Sequence, residues 1–194
     1  MISNTIFIIR HGDKPDTDGV APFGVEDDGS QDFESLLVKG WQRAGCWRCY
    51  FLPTAGGGPL NPTSAHVFAA DLEKHGQKGD GSKSRRPVET VTPLAALLPQ
   101  GVPDVTYTKG QEHKVAEAAA ARPEEATVIC WQHEDVPRII DKLIPGWAAA
   151  HGAWAGSCFN GIVTLARSGG GWQFAQAAPV LLAGDTSAAP FADA

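Results

Sequence analysis

The sequence predicts one α/β domain built on a mainly parallel sheet. Three observations carry that reading. Strand-like apolar runs alternate with helical patterns along the chain. Three of those runs are almost continuously apolar, as strands covered on both faces are. Each of the three leads into polar groups suited to holding a ligand, and open parallel sheets bind ligands at the C-terminal ends of their strands. A chain of 194 residues fills one hydrophobic core. The domain is expected over residues 1–183, with 184–194 as a loose tail.

The elements follow in order. "TIFIIR", Thr5 to Arg10, is a short, β-branched-rich run and reads as a buried strand. Residues 13–34 are acidic and rich in Gly, Pro and Asp, which predicts a long surface loop. "LLVKGWQRAGCWRCYF", from about Leu36 to Phe51, has helical spacing, with Ser35 placed to cap it. "LPTAGGGPLNPTS" ends that helix, and "AHVFAAD" is a second buried strand. The polar, glycine-bearing loop that follows is longer than most connections, so residues 72–85 are expected at the rim of a pocket. "RRPVETVTPLAALL" reads as a helix with Pro87 in its first turn. "DVTYT" is a weak strand and "GQEHKVAEAAAA" an alanine-rich helix. "ATVICW" is the third strong strand and "VPRIIDKLI" a helix. "NGIVTLAR" and "WQFAQAAPV" close the fold as two strands around "SGGG".

Composition excludes several classes of function. The formal charge is −6 and no basic stripe is present, which argues against a nucleic-acid partner. No apolar run has membrane-spanning length. The N-terminus "MISNTIFII" lacks a basic leader and a cleavage site. A cytoplasmic location with reduced cysteines is expected. Cys46 and Cys49 form a C-x-x-C, but deep inside a helix and without a second pair, so they read as small core residues. His66, His75, His113 and His151 have no ligand-like spacing, so neither a metal nor a cofactor is expected.

The three strand ends carry the chemistry. The first gives "RHGDK", the second leads through its loop to "SRRPVET", and the third gives "WQHED". Right-handed crossovers bring such ends to one edge of a sheet. Arg10, His11, Lys14, Arg86 and His133 are therefore expected to converge. Arginine forks match phosphate oxygens and stay charged. A neutral imidazole nitrogen can attack phosphorus and split one hard step into two. Gly12 lets backbone and ligand approach closely.

These residues resemble the histidine phosphatase superfamily, also called phosphoglycerate mutase-like. The resemblance rests on "RHG" ending the first strand, "LLVKGWQRA" in the first helix, "RPVET" opening a later helix and a histidine ending a later strand. It runs from about Thr5 to Leu165. It implies a three-layer sandwich of helices around a mostly parallel sheet. It also implies His11 as the phosphorylated nucleophile, Arg10 and Arg86 as phosphate ligands and His133 as a donor to the phosphoryl oxygens. Lys14 is implied as a further phosphate ligand. Arg86 rather than Arg85 fits the spacing to Thr90.

The chain departs from the family pattern at Leu37, at Ala70 and Asp71, and after the second histidine, where Glu134 and Asp135 follow. The run "CWQHEDVP" looks closer to relatives that place an acidic proton donor beside that histidine, and also to small bacterial members with a tryptophan before it. Asp135 is preferred over Glu134 as general acid, with Glu112 third. The alternative for the carboxylate pair is a charge at a helix N-terminus. The implied activity is hydrolysis of a small phosphate monoester through phospho-His11. The rivals are a phosphoglycerate-type mutase and a phospho-ligand-binding module without turnover.

Overall fold

The computed structural model describes residues 4–72, 82–122 and 126–192. The elements run β1 (Thr5–Arg10), α1 (Val38–Phe51), β2 (His66–Ala69), α2 (Arg86–Ala95), α3 (Glu112–Ala120), β3 (Ala126–Trp131), α4 (Val136–Leu143), α5 (Trp147–His151), β4 (Ile162–Ser168) and β5 (Gly171–Ala177). The strands form one mixed sheet in the order β2-β3-β1-β4-β5. β2, β3 and β1 are parallel. β4 and β5 add on in antiparallel fashion. Helices cover both faces, giving the expected three layers.

Side-chain alternation divides the core. Ile6 and Ile8 of β1 join Ile129 and Trp131 of β3 on the face covered by α3, α4 and α5. Phe7 and Ile9 join Val128 and Cys130 on the face covered by α1 and α2. Both sides of each central strand are therefore dry, which explains why these strands read as unbroken apolar runs rather than alternating ones.

The structure departs from the sequence expectations in four places. α1 starts at Val38, not Leu36, and Ser35 does not cap it. The Ser35 hydroxyl instead donates to Asp32 Oδ2 at 2.7 Å. Tertiary groups satisfy the entering backbone: Leu36 N donates to Glu89 Oε2 at 2.8 Å and Leu37 N to the Asp13 carbonyl at 3.0 Å. "DVTYT" makes only isolated bridges, because the Asp104 carboxylate bends the chain by accepting from Thr106 N and Oγ1. α5 is a five-residue helix, too short to show a period. Within α1, Cys46 is half-buried and Cys49 exposed, so the second thiol is not a core residue. The loop 72–85 lies mostly outside the described residues, as does His75.

Where a loose tail was expected from residue 184, several residues pack on the domain. Asp185 forms a paired contact with Arg43 of α1, at 2.8 and 2.9 Å. The Thr186 carbonyl accepts from Asn160 Nδ2 at 2.7 Å. Phe191 is fully buried among Trp147, Trp154 and Phe174. The segment lacks helical or strand periodicity, so its anchoring rests on single residues. Among the described residues, no helix is long and apolar enough to cross a membrane.

Phe191→Ala should lower the unfolding free energy by about 3–5 kcal/mol, as cavity-forming truncations do. The exposed Val180→Ala should change it by less than about 0.5 kcal/mol. Guanidinium denaturation of both variants checks this, and equal stabilities would mean that the terminal segment is not part of the core.

Candidate active site

β1 and β3 run in register to their ends, with Ile9 opposite Cys130 and Arg10 opposite Trp131. The pairing continues one step beyond, since His11 N donates to the Trp131 carbonyl at 3.2 Å. Arg10 follows the parity of Ile6 and Ile8, toward the α3–α5 face. There Nη1 donates to the Gly156 carbonyl at 2.7 Å. The guanidinium carbon lies 3.9 Å from the ring centre of Phe159. Arg10 is fully buried, and its Nε and Nη2 have no partner among the described residues. Burial pulls its pKa down to about 10, so it remains a cation at neutral pH.

His11 is 4% exposed. Its Nδ1 lies 2.8 Å from the Gly12 carbonyl. A carbonyl only accepts, so Nδ1 carries the proton and Nε2 keeps its lone pair. Burial, with Arg10, Arg86 and His133 adding to it, pushes the pKa down to about 3. The ring is neutral across the physiological range, as a nucleophile must be.

Gly12 explains the next residue type in "RHG". Its N–H donates to Thr90 Oγ1 at 2.8 Å, and that hydroxyl donates to the Arg86 carbonyl at 2.7 Å. The arginine-to-threonine spacing in α2 is thus a clamp between β1 and the helix that carries Arg86. A side chain at Gly12 would sit 3.0 Å from the Gly40 carbonyl, and one at Gly40 would sit 2.5 Å from the Asp13 carbonyl. Two glycines therefore let the first loop lie flat on α1. Arg43, one turn on, holds Asp13 at 2.7 Å.

Arg86 is buried, with Nη2 donating to the Phe33 carbonyl at 2.8 Å and reaching Glu34 Oε2 at 3.5 Å. Arg85 points away and pairs with Glu26 at 3.1 Å. His133 follows β3 with Nε2 toward Gly156, where a Cβ would come within 3.9 Å of it. Gly156 thus binds Arg10 through its carbonyl and lies near His133. Nδ1 of His133 is 3.0 Å from Glu134 Oε2, an ion-pair contact bent away from hydrogen-bond geometry. Arg10, Arg86 and His133 all lie near enough to His11 to act on its charge, whereas Lys14 is exposed at the start of the loop.

The two acid candidates have separate surroundings. Glu134 meets Lys109 Nζ at 2.7 Å, and its contacts with His133 and Lys109 hold it ionised well below the usual carboxylate range. Such a group does not carry a proton to give. Asp135 has its pKa raised by burial, as an acid requires. Its oxygens sit 3.3 Å from Lys109 and 3.1 Å from Arg138. Glu112 accepts from Trp131 Nε1 and Gly110 N and is a buried anchor for β3. Asp135 stands at the start of helix α4, held between two cations.

Sequence reasoning missed Phe159, Gly156 and Lys109. The first two lie in the irregular stretch between α5 and β4, which carries no periodicity, and Lys109 is one of many surface-type lysines. Asp71, left open by the sequence, lines a cavity of about 390 Å³ with Trp41, Arg85 and Glu89. Among the described residues, no group of three or more His, Cys, Asp or Glu is placed to hold a metal ion.

The fold is the phosphoglycerate mutase-like fold of histidine phosphatases. The protein histidine phosphatase SixA, solved with tungstate, superposes with a TM-score of 0.50 at 13% identity, covering 89% of this chain and 95% of SixA. The product of open reading frame Rv3214 from Mycobacterium tuberculosis gives 0.49 at 14% identity over 89% and 95% of the two chains. A putative α-ribazole-5′-phosphate phosphatase from Escherichia coli gives 0.47 at 11% identity over 88% and 94%. No family model and no curated protein matches the sequence.

The neutral state of His11 predicts a pH effect on stability. Unfolded, the residue takes up a proton near pH 6.5; folded, it does so only near pH 3. The unfolded state therefore binds the proton first, and stability falls with pH in that window by about 1.4 kcal/mol per unit from this group. Between about pH 6.5 and 5, wild type should lose roughly 2 kcal/mol more than His11→Asn in guanidinium denaturation. Equal losses would mean that folded His11 is charged.

Proposed function

We propose that this protein is a histidine phosphatase that hydrolyses a small phosphate monoester through a phosphohistidine on His11. The observation that carries the reading is the state of that ring: neutral, with Nδ1 held by the Gly12 carbonyl and Nε2 free beside Arg10, Arg86 and His133. In the first step the Nε2 lone pair attacks phosphorus, and the bond to the leaving oxygen breaks with its electrons going to oxygen. Arg10 and Arg86 neutralise the phosphoryl oxygens in a site from which water is largely excluded. Phe159 covers one face of Arg10 and keeps that charge in place. His133 donates to a phosphoryl oxygen through Nε2, and the Glu134 carboxylate lies 3.0 Å from its Nδ1. In the second step water displaces His11 from phosphorus.

The arrangement favours leaving groups that depart without help. Glu134 is held ionised and Asp135 is paired with Lys109 and Arg138, so the rate should depend steeply on leaving-group acidity. SixA, which shares the fold, was solved with tungstate, a tetrahedral oxyanion, and this fits a phosphate-type guest. Glu134 then acts on His133 and not on the substrate.

Three results are expected. Incubation with 32P-labelled 4-nitrophenyl phosphate and acid-free denaturation should leave an acid-labile, base-stable label on wild type and none on His11→Ala. A labelled His11→Ala protein would overturn the proposal. Arg86→Ala should lower kcat/KM about 10²–10³-fold, as loss of a charge-stabilising donor does. Glu134→Gln should cost about tenfold for both 4-nitrophenyl and phenyl phosphate. A loss confined to phenyl phosphate and approaching the ~10²–10⁴ of a general acid would restore Glu134 to that role.

A further inference from the structure

Gln132 directly precedes His133 and has no part in the account so far. It is 4% exposed, and neither its amide nitrogen nor its amide oxygen has a partner among the described residues. A buried carboxamide left unpaired is costly, and such groups in folded proteins call for an explanation.

Register gives its position. Ile9, Cys130 and Ala69 are paired across β1, β3 and β2, and all three belong to the core under α1 and α2. The parallel pairing runs on past the strands: His11 N donates to Trp131 O at 3.2 Å and Ala70 N to Cys130 O at 3.1 Å. Two residues further along, the same row holds His11, Gln132 and Asp71. Period-two alternation puts them on the face of Arg86 and Thr90. Neighbouring strands lie about 4.8 Å apart, so Gln132 is the lateral neighbour of His11.

We propose that Gln132 contacts the phosphoryl group on His11 and the water that displaces it. The inference rests on the phosphatase reading above and adds a residue to its second step. The arginines around the phosphoryl group are donors only, whereas attacking water needs an acceptor for one of its hydrogens. A carboxamide supplies both functions without adding negative charge beside an anionic group. Its N–H donates to a phosphoryl oxygen, and its Oε1 accepts from the water and aims the oxygen at phosphorus. The bond between water oxygen and phosphorus forms while the bond between phosphorus and His11 Nε2 breaks, its electron pair returning to Nε2. Nδ1 keeps its proton on the Gly12 carbonyl, and both water hydrogens leave with dihydrogen phosphate. Atoms and charge balance without another base.

Rapid-quench kinetics with 32P-labelled 4-nitrophenyl phosphate test this on the full chain, comparing wild type with Gln132→Leu and Gln132→Met. In the variants the burst of nitrophenol should change less than about threefold while steady-state turnover falls roughly a hundredfold, so that phosphoenzyme approaches one per chain. Thermal midpoints should stay equal or rise, because an unpaired buried amide has been removed. Parallel loss of burst and steady state, a lowered midpoint with no phosphoenzyme build-up, or unchanged turnover would each overturn the inference. Wild type that takes no label would defeat the phosphatase reading and this inference together. Label on wild type that does not accumulate in either variant would defeat this inference alone.

Discussion

The structure depends on the parallel pairing of β1 with β3. Neither strand carries a charged side chain before its last residue, so each is buried on both faces and is held to one register by the cores above and below it. A slip of one residue would send every inward side chain to the wrong layer. The register brings Arg10 and Trp131 level, and everything polar begins just beyond. Arg10 turns toward the α3–α5 layer and His11 toward α2. A guest at this edge is therefore met from both layers at once.

Charge balance separates Arg43 from Arg10 and Arg86. Arg43 and Arg10 are equally buried, yet Arg43 has two carboxylates, Asp13 and Asp185, at 2.7 and 2.8 Å. Its charge is fully answered inside the protein. Arg10 has carbonyl oxygens and an aromatic face, and two of its nitrogens remain unpaired among the described residues. Arg86 likewise leans on backbone carbonyls, with Glu34 at 3.5 Å as its carboxylate contact. Uncompensated buried cations are expensive. On the proposed reading, a tetrahedral dianion beside the neutral imidazole supplies the missing charge.

Much of the fold was legible in the sequence because the central strands are apolar on both faces and the helices carry clear periods. The ends of elements were less so. Ser35 looked like a helix cap, but Asp32 claims its hydroxyl and the Glu89 carboxylate takes over at the helix entrance. Arg10 and Arg86 were legible as neighbours of His11 because one ends a strand and the other opens a helix, and topology brings such positions together. Phe159 and Gly156 were not, since they come from an irregular segment whose course is set by Trp154 and Phe191 packing beneath it. The roles of Glu134 and Asp135 were equally hidden. Adjacent residues at a helix start point in different directions, and a sequence does not give direction.

The central claim is that one oxyanion is held by groups from β1, α2 and the end of β3. A crystal structure of the protein soaked with tungstate tests it most directly. The account predicts a single tetrahedral anion within bonding distance of His11 Nε2, with Arg10, Arg86 and His133 on its oxygens. Tungstate bound elsewhere, or at this edge with Nε2 turned away, would contradict it.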